Sequence, residues 1–353
     1  MDSYVDEKTL LSLGIIDPEL QAFLDKTNPP RLNYDDVSDF KAMIDKRNAA
    51  ATKAQKQPPP EILQSDLWYP TKDGIKIRAK LYQPSTPPKD GSPLIVMYHG
   101  GGFCTGAPES EEQTCQNFVQ AFGAVCLSAT YRLGPEWKFP TAHKDAWDCL
   151  RWAAEHATSW GADPAVGFVI GGTSAGANIT AVLAHLARDE GLSPPLTGQY
   201  LAAASLLPEN QVPEKYKKFY LSQEQNVDVP VLPRPARLMF LRGYQPDNND
   251  AVWWAIFNHP KGHADVPPAF FQVDGLDPLR DDSIIFERVL RKEYGIKTRM
   301  DVYPGLPHGH WNIYPFLKGS EKFRKDQVAG MAFLLNRDPD YSKVVTKASP
   351  AGF

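Results

Sequence analysis

From Leu94 onward the chain keeps returning to one pattern: a short, mostly apolar run, a loop, then a stretch with helical spacing. The runs are Leu94 to Tyr98, Ala124 to Ala129, Val166 to Ile170, Tyr200 to Leu207 and Ala269 to Val273, with Arg299 to Tyr303 more polar. An apolar run without alternation suits a strand buried on both faces. Between the runs, Ala146, Cys149, Leu150 and Ala153 recur at helical spacing, as do Ile179, Leu183, Leu186 and Ala187 before Gly191. Strands alternating with helices predict an α/β fold: a mostly parallel central sheet flanked by helices on both faces.

Two segments stand outside this rhythm. Residues 1–60 read as helices that end in a linker from Gln55 to Pro60. Residues 207–262 are rich in proline from Pro208 to Pro246 and close on Trp253, Trp254 and Phe257. An insertion of that length in a sheet protein is usually functional. The core is thereby split into 61–206 and 263–337, and 338–353 reads as a loosely held tail. Ahead of the first run, Ile75, Ile77, Ala79 and Leu81 alternate with polar residues after the turn Lys72-Asp73-Gly74, which predicts a hairpin.

A length of 353 residues admits two domains or one large α/β domain. Lys plus Arg is 38 against 42 acidic residues, a formal charge of −4, which argues against a nucleic-acid groove. Cys104, Cys115, Cys126 and Cys149 form no CxxC pair and read as reduced, buried thiols. The N-terminus has no basic start and no apolar segment of the signal-peptide kind. No run approaches the roughly 18 residues of a membrane span. A cytoplasmic protein without a membrane span is the expectation.

Gly172-Thr173-Ser174-Ala175-Gly176 follows the run Val166 to Ile170 and precedes a helix. A serine on such a tight turn projects its hydroxyl above the sheet edge. The alternative is an ordinary glycine-rich turn. His99-Gly100-Gly101-Gly102-Phe103 follows Leu94 to Tyr98, and its backbone N–H groups can approach a reacting oxygen closely. A phosphate loop is the competing reading, but no Lys-Ser/Thr follows. Asp277 and His308 each sit in a loop after a run, where α/β sheets place their sites. Asp277 also suits a helix cap, and His308 an ordinary loop. The order serine, aspartate, histidine is that of an α/β-hydrolase triad.

Taken together these motifs resemble the hormone-sensitive-lipase family of α/β-hydrolases, close to its carboxylesterase branches. The resemblance rests on His99 to Phe103, Tyr131 to Glu136, Gly172 to Gly176, Asp277 to Asp281 and His308-Gly309, and spans about Asp66 to about Leu335. It implies an α/β-hydrolase fold with a helical cap built from the N-terminal helices and the insertion. It also implies Ser174 as nucleophile, His308 as general base, Asp277 as orienting acid, and an oxyanion hole from the N–H groups of Gly101, Gly102 and Ala175, with Gly100 as a further contributor. The chemistry needs neither cofactor nor metal, the partner is a small-molecule ester, and a homodimer is a family-based expectation.

The chain departs from the family's usual residues at Thr130, Gly134 and His310, and Thr173 precedes the serine. His310 is a second imidazole that competes with His308 for the role of base. His308 with His310 also makes a metal-like spacing, without a carboxylate or cysteine cluster to complete it. His259 and His263 read as loop residues. Trp253, Trp254 and Phe257 line a pocket or form the cap's own core. Three functions are consistent with these residues. The first is a serine carboxylesterase for short to medium acyl chains. The second is a pathway-specific hydrolase, lactonase, acyltransferase or cyclase acting on a specialised metabolite. The third is a receptor of the kind that keeps the serine but lacks the histidine, which the presence of His308 argues against.

Overall fold

A computed structural model of the chain describes residues 4, 6–29, 32–53 and 58–347, the side chains of 47–53 excepted. One 8-stranded sheet runs through the molecule in the order β1-β2-β4-β3-β5-β6-β7-β8. Its strands are β1 (Ile62–Pro70), β2 (Lys76–Pro84), β3 (Leu94–Tyr98), β4 (Val125–Ala129), β5 (Phe168–Thr173), β6 (Gly198–Ala202), β7 (Ala269–Leu276) and β8 (Thr298–Pro307). The β1–β2 and β2–β4 pairs are antiparallel, and every other pair is parallel. The predicted hairpin is β1–β2, turning through Gly74 at φ 84°.

The helices are α1 (Glu7–Leu13), α2 (Pro18–Thr27), α3 (Val37–Lys53), α4 (Glu112–Phe122), α5 (Thr141–His156), α6 (Ala175–Asp189), α7 (Ser222–Gln225), α8 (Arg234–Tyr244), α9 (Arg280–Glu293), α10 (His310–Ile313) and α11 (Lys318–Leu335). Helices α5, α6 and α9 pack on one face of the sheet through Leu150, Leu183 and Phe286, among others. Helices α4 and α11 cover the other through Phe118, Phe323 and Met331. The central strands β3, β4 and β5 are buried along their whole length, as largely apolar runs without alternation require.

Two strand boundaries differ from the sequence reading. Pro164–Val166 forms a 3-10 turn capped by the Asp163 carboxylate, so β5 begins at Phe168 and runs on to Thr173. The run Tyr200 to Leu207 stops being a strand at Ala202. Ala203 turns at φ 47°, and the Leu206 and Leu207 N–H groups donate to Asp282 instead of to a neighbouring strand. Part of the tail, expected to be loose, is fastened. Asn117 exchanges two hydrogen bonds with the Val345 backbone, and Arg324 donates to the Thr346 carbonyl. Residues 348–353 lie outside the described residues. The four cysteines are free and buried. Among the described residues, no helix is long and apolar enough to cross a membrane.

Candidate active site

Ser174 stands at the junction of β5 and α6 with φ 55° and ψ −114°, a conformation that L-residues adopt only under constraint. The two glycines of its motif supply that constraint. A Cβ on Gly176 would lie 2.0 Å from the Tyr98 carbonyl oxygen, and one on Gly172 would lie 2.4 Å from the Gly176 carbonyl. Strand, turn and helix are therefore packed backbone against backbone. The Ser174 N–H donates to the Ala202 carbonyl at 2.8 Å, which ties the turn to β6.

Asp277 follows β7 and His308 follows β8. Their loops converge on Ser174: His308 Nε2 lies 2.9 Å from Ser174 Oγ, and His308 Nδ1 lies 2.6 Å from Asp277 Oδ2. Asp277 is fully buried, and its Oδ1 accepts the Leu279 N–H at 2.9 Å. Burial disfavours the His308 imidazolium, but the charge and hydrogen bond of Asp277 outweigh that and raise its pKa. The chain of contacts lets His308 take a proton from Ser174 while Asp277 holds the ring.

The glycine loop after β3 lies against this turn. His99 is buried and stacked on Tyr131 at 4.6 Å, and burial lowers its pKa to about 4. Its Nε2 meets Thr130 Oγ1 at 2.8 Å, and the Tyr131 hydroxyl donates to the His99 carbonyl at 2.8 Å. Gly101 and Gly102 have φ of 115° and 58°, which a side chain resists. Among the described residues their N–H groups have no hydrogen-bond acceptor. Ala175 opens α6, where an N–H has no intrahelical acceptor and the helix dipole favours negative charge.

Sequence reasoning missed the support behind the triad. Asp274, inside β7, is completely buried, and its Oδ2 accepts the Gly309 N–H at 3.0 Å. Burial, then the nearby Asp277, raise its pKa far above the carboxylate range. His310 is also fully buried, with Nε2 3.3 Å from Asp274 Oδ1 and Nδ1 2.9 Å from Ser320 Oγ. Burial lowers its pKa to about 3, so it stays neutral and does not compete with His308. Asn226, from the 207–262 insertion, donates to the Asp277 carbonyl at 2.9 Å. The legible signal was Asp274 itself, an acid inside a largely apolar strand.

Asp274, Asp277 and His308 bring ligand-type atoms within 4.8 Å of one another. Both His308 nitrogens are already engaged, one by Asp277 and one by Ser174, so the set is poorly suited to a cation. His259 and His263 lie in the loop expected for them, but buried, and His263 Nδ1 meets His185 Nε2 at 2.9 Å. Arg132 pairs with Asp145 at 2.6 Å, in keeping with a structural role for that motif.

A cavity of about 1210 Å³ opens above Ser174. Its walls are mostly apolar and come from Leu24 of α2, Phe40 of α3, Val231, Phe240 of α8, Trp254 and Tyr314. Both segments that broke the sequence rhythm thus contribute to it. Of the three aromatics left open, Trp254 lines the cavity against Phe103, whereas Phe257 packs on Phe286 in the core.

The family model for the alpha/beta hydrolase fold matches residues 95–312. An AB hydrolase superfamily protein of Schizosaccharomyces pombe is 35% identical over 321 residues, covering 91% of this chain and 94% of that protein. Esterase LipI of Mycobacterium tuberculosis is 34% identical over 315 residues, covering 88% and 91%. The crystal structure of vibralactone cyclase superposes with a TM-score of 0.82 at 30% identity, over 94% of this chain and 97% of that one. With the sheet order, the serine turn and these matches in agreement, the chain belongs to the α/β-hydrolase family, in its hormone-sensitive-lipase-like carboxylesterase group.

Proposed function

We propose that this hydrolase is a serine carboxylesterase for carboxylic esters of short to medium acyl chains. One observation carries the reading: Ser174 Oγ, His308 and Asp277 form an unbroken hydrogen-bonded chain beside unused backbone N–H groups. Ser174 Oγ attacks the ester carbonyl carbon, and its proton passes to His308 Nε2. The oxyanion formed lies on the N–H groups of Gly101, Gly102 and Ala175, each donor being worth roughly 10²–10³ in rate. The tetrahedral adduct collapses, the C–O bond to the alcohol breaks, and His308 protonates the leaving oxygen. Water then attacks the acyl-serine with His308 again as base, releasing the carboxylic acid and restoring Ser174.

Hydrolysis of p-nitrophenyl esters from acetate to palmitate, by wild type and Ser174→Ala, tests this. Activity on the shorter chains is expected, with a loss of roughly 10⁶-fold in the variant. An active Ser174→Ala protein would sink the reading. A second reading is favoured by the likeness to vibralactone cyclase: the same triad serving lactone formation or acyl transfer on a specialised metabolite. It predicts silence on the whole series while a fluorophosphonate probe still labels Ser174.

A further inference from the structure

One buried acid beside Ser174 takes no part in the proton transfers of the triad. Glu111 ends the 3-10 turn Pro108–Glu111 that leads into α4, and it is 3% exposed. It borders the cavity together with Thr173 and Ser174. Its carboxyl takes hydrogen bonds from two hydroxyls, those of Thr173 and Thr114. Among the described residues no cation pairs with it, and Arg78 and Lys80 of β2 are taken by Glu109. Burial outweighs the two hydroxyls and raises its pKa to about 7. An acid in so dry a place is costly to keep, and groups of this kind collect at functional sites.

The turn that carries Glu111 is fastened to the sheet. Ser128 Oγ of β4 donates to the Pro108 carbonyl at 2.7 Å, and Arg78 donates twice to Glu109, each time at 2.7 Å. Thr114 Oγ1 accepts Gln327 Nε2 of α11 at 3.4 Å, which leaves its own proton for Glu111. The same Gln327 nitrogen donates to the Tyr200 hydroxyl of β6 at 2.9 Å. The carboxyl is thus fixed from β2, β4 and α11 before it reaches Thr173.

Thr173 is the last residue of β5 and directly precedes Ser174. It lies against the glycine loop. A Cβ on Gly100 would come 3.0 Å from the Thr173 carbonyl oxygen, 3.5 Å from its Cγ2 and 3.3 Å from Ser174 Cβ. With the hydroxyl committed to Glu111, the methyl is the γ atom that meets Gly100. A β-branched side chain has few χ1 wells, and one hydrogen bond selects among them. Without that bond the hydroxyl and methyl can exchange places, and the contact between serine turn and glycine loop changes.

We propose that Glu111 is a positioning residue which, through the Thr173 hydroxyl, sets the serine turn against the glycine loop. It acts on the reaction only by way of Thr173. The proposal rests on the reading of Ser174 as nucleophile, and it adds the group that aligns the nucleophile with its oxyanion donors. A misplacement of about 1 Å between such groups costs roughly 10²-fold in rate.

The test uses the full chain and a fluorophosphonate probe, so the physiological ester need not be known. The maximal labelling rate and the half-saturating probe concentration are measured for wild type, Glu111→Ala, Glu111→Gln, Thr173→Val and the Glu111→Ala/Thr173→Val double variant. Glu111→Ala and Thr173→Val are each expected to lower the maximal rate about tenfold or more, with half-saturation within about twofold. The double variant should be no slower than the slower single one, because both changes remove the same bond. Glu111→Gln still offers Thr173 an acceptor, and should label within about threefold of wild type. Should Glu111→Ala not unfold cooperatively, Glu111→Met takes its place in the cycle. A wild-type rate in Thr173→Val overturns the proposal, as do losses that multiply in the double variant. A loss carried by half-saturation also overturns it, since Glu111 would then belong to the binding surface. A wild type that resists labelling altogether would instead remove the nucleophile reading, and the proposal with it.

Discussion

At the scale of single residues, the proposed mechanism makes His308 the group that sets the pH behaviour. As the proposed base it would act only as the neutral imidazole, and its pKa is raised because Asp277 outweighs burial. The rate kcat/KM should therefore fall as pH drops, through a midpoint above the ordinary imidazole value of about 6.5. Asp277→Asn removes the charge and leaves burial, so the acid limb should move below that value. By analogy with other triads, kcat should drop roughly 10⁴-fold. A pH–rate profile of both proteins checks this, and an unmoved limb would contradict it. Asp274 invites a different expectation. As a neutral acid it can donate from Oδ1 to His310 Nε2, which pairs two atoms that otherwise have no partner. Asp274→Asn retains a donor there and should leave the acid limb in place. Asp274→Ala leaves the Gly309 N–H and His310 unpaired and should cost about 1–3 kcal/mol in urea unfolding.

The serine turn belongs to the scale of elements. It exists because β3, β5 and α6 approach closer than any side chain permits. Gly176→Ala would place a methyl group 2.0 Å from the Tyr98 oxygen and push α6 away from β3. A displacement of about 1 Å at the serine costs roughly 10²-fold in rate. The expected result is a protein that folds but is labelled by a fluorophosphonate about 10²-fold more slowly, and labelling at the wild-type rate would refute the packing argument. The glycine loop after β3 depends on the same kind of contact. Gly102 lies under the Phe240 ring of α8, where a Cβ would come within 2.3 Å, so the loop and the insertion are fitted to each other.

For the whole molecule, the N-terminal helices are part of the core. Leu10 and Leu13 of α1 are 0% and 5% exposed and join the same apolar cluster as Leu183 of α6 and Phe271 of β7. Leu13→Ala should cost about 2–5 kcal/mol, as deletions of buried leucine side chains do. It should shift the whole denaturation curve without adding a transition. A separate early transition for the N-terminal segment would show that it folds apart. The Asp17 N–H donates to the Gly305 carbonyl and the Gln225 amide to the Leu11 carbonyl, so the two outlying segments and the sheet are joined.

Local pattern in the sequence was enough to identify the α/β class, the strand-ending loops and the order Ser174, Asp277, His308. Unbroken apolar runs can be buried only between two layers, and glycine-rich turns after them have few other uses. Strand ends were less legible, because Val166 and Leu207 are apolar for reasons other than sheet pairing. What lies behind and beyond the triad came from tertiary structure alone. Asp274 and His310 are 36 residues apart in the chain and meet only because β7 and β8 are neighbours. Asn226 and Asp277 share no local motif, and they meet because the insertion folds back over the end of β7. Sequence spacing constrains groups on one element, whereas pairing between elements is decided by how the layers pack.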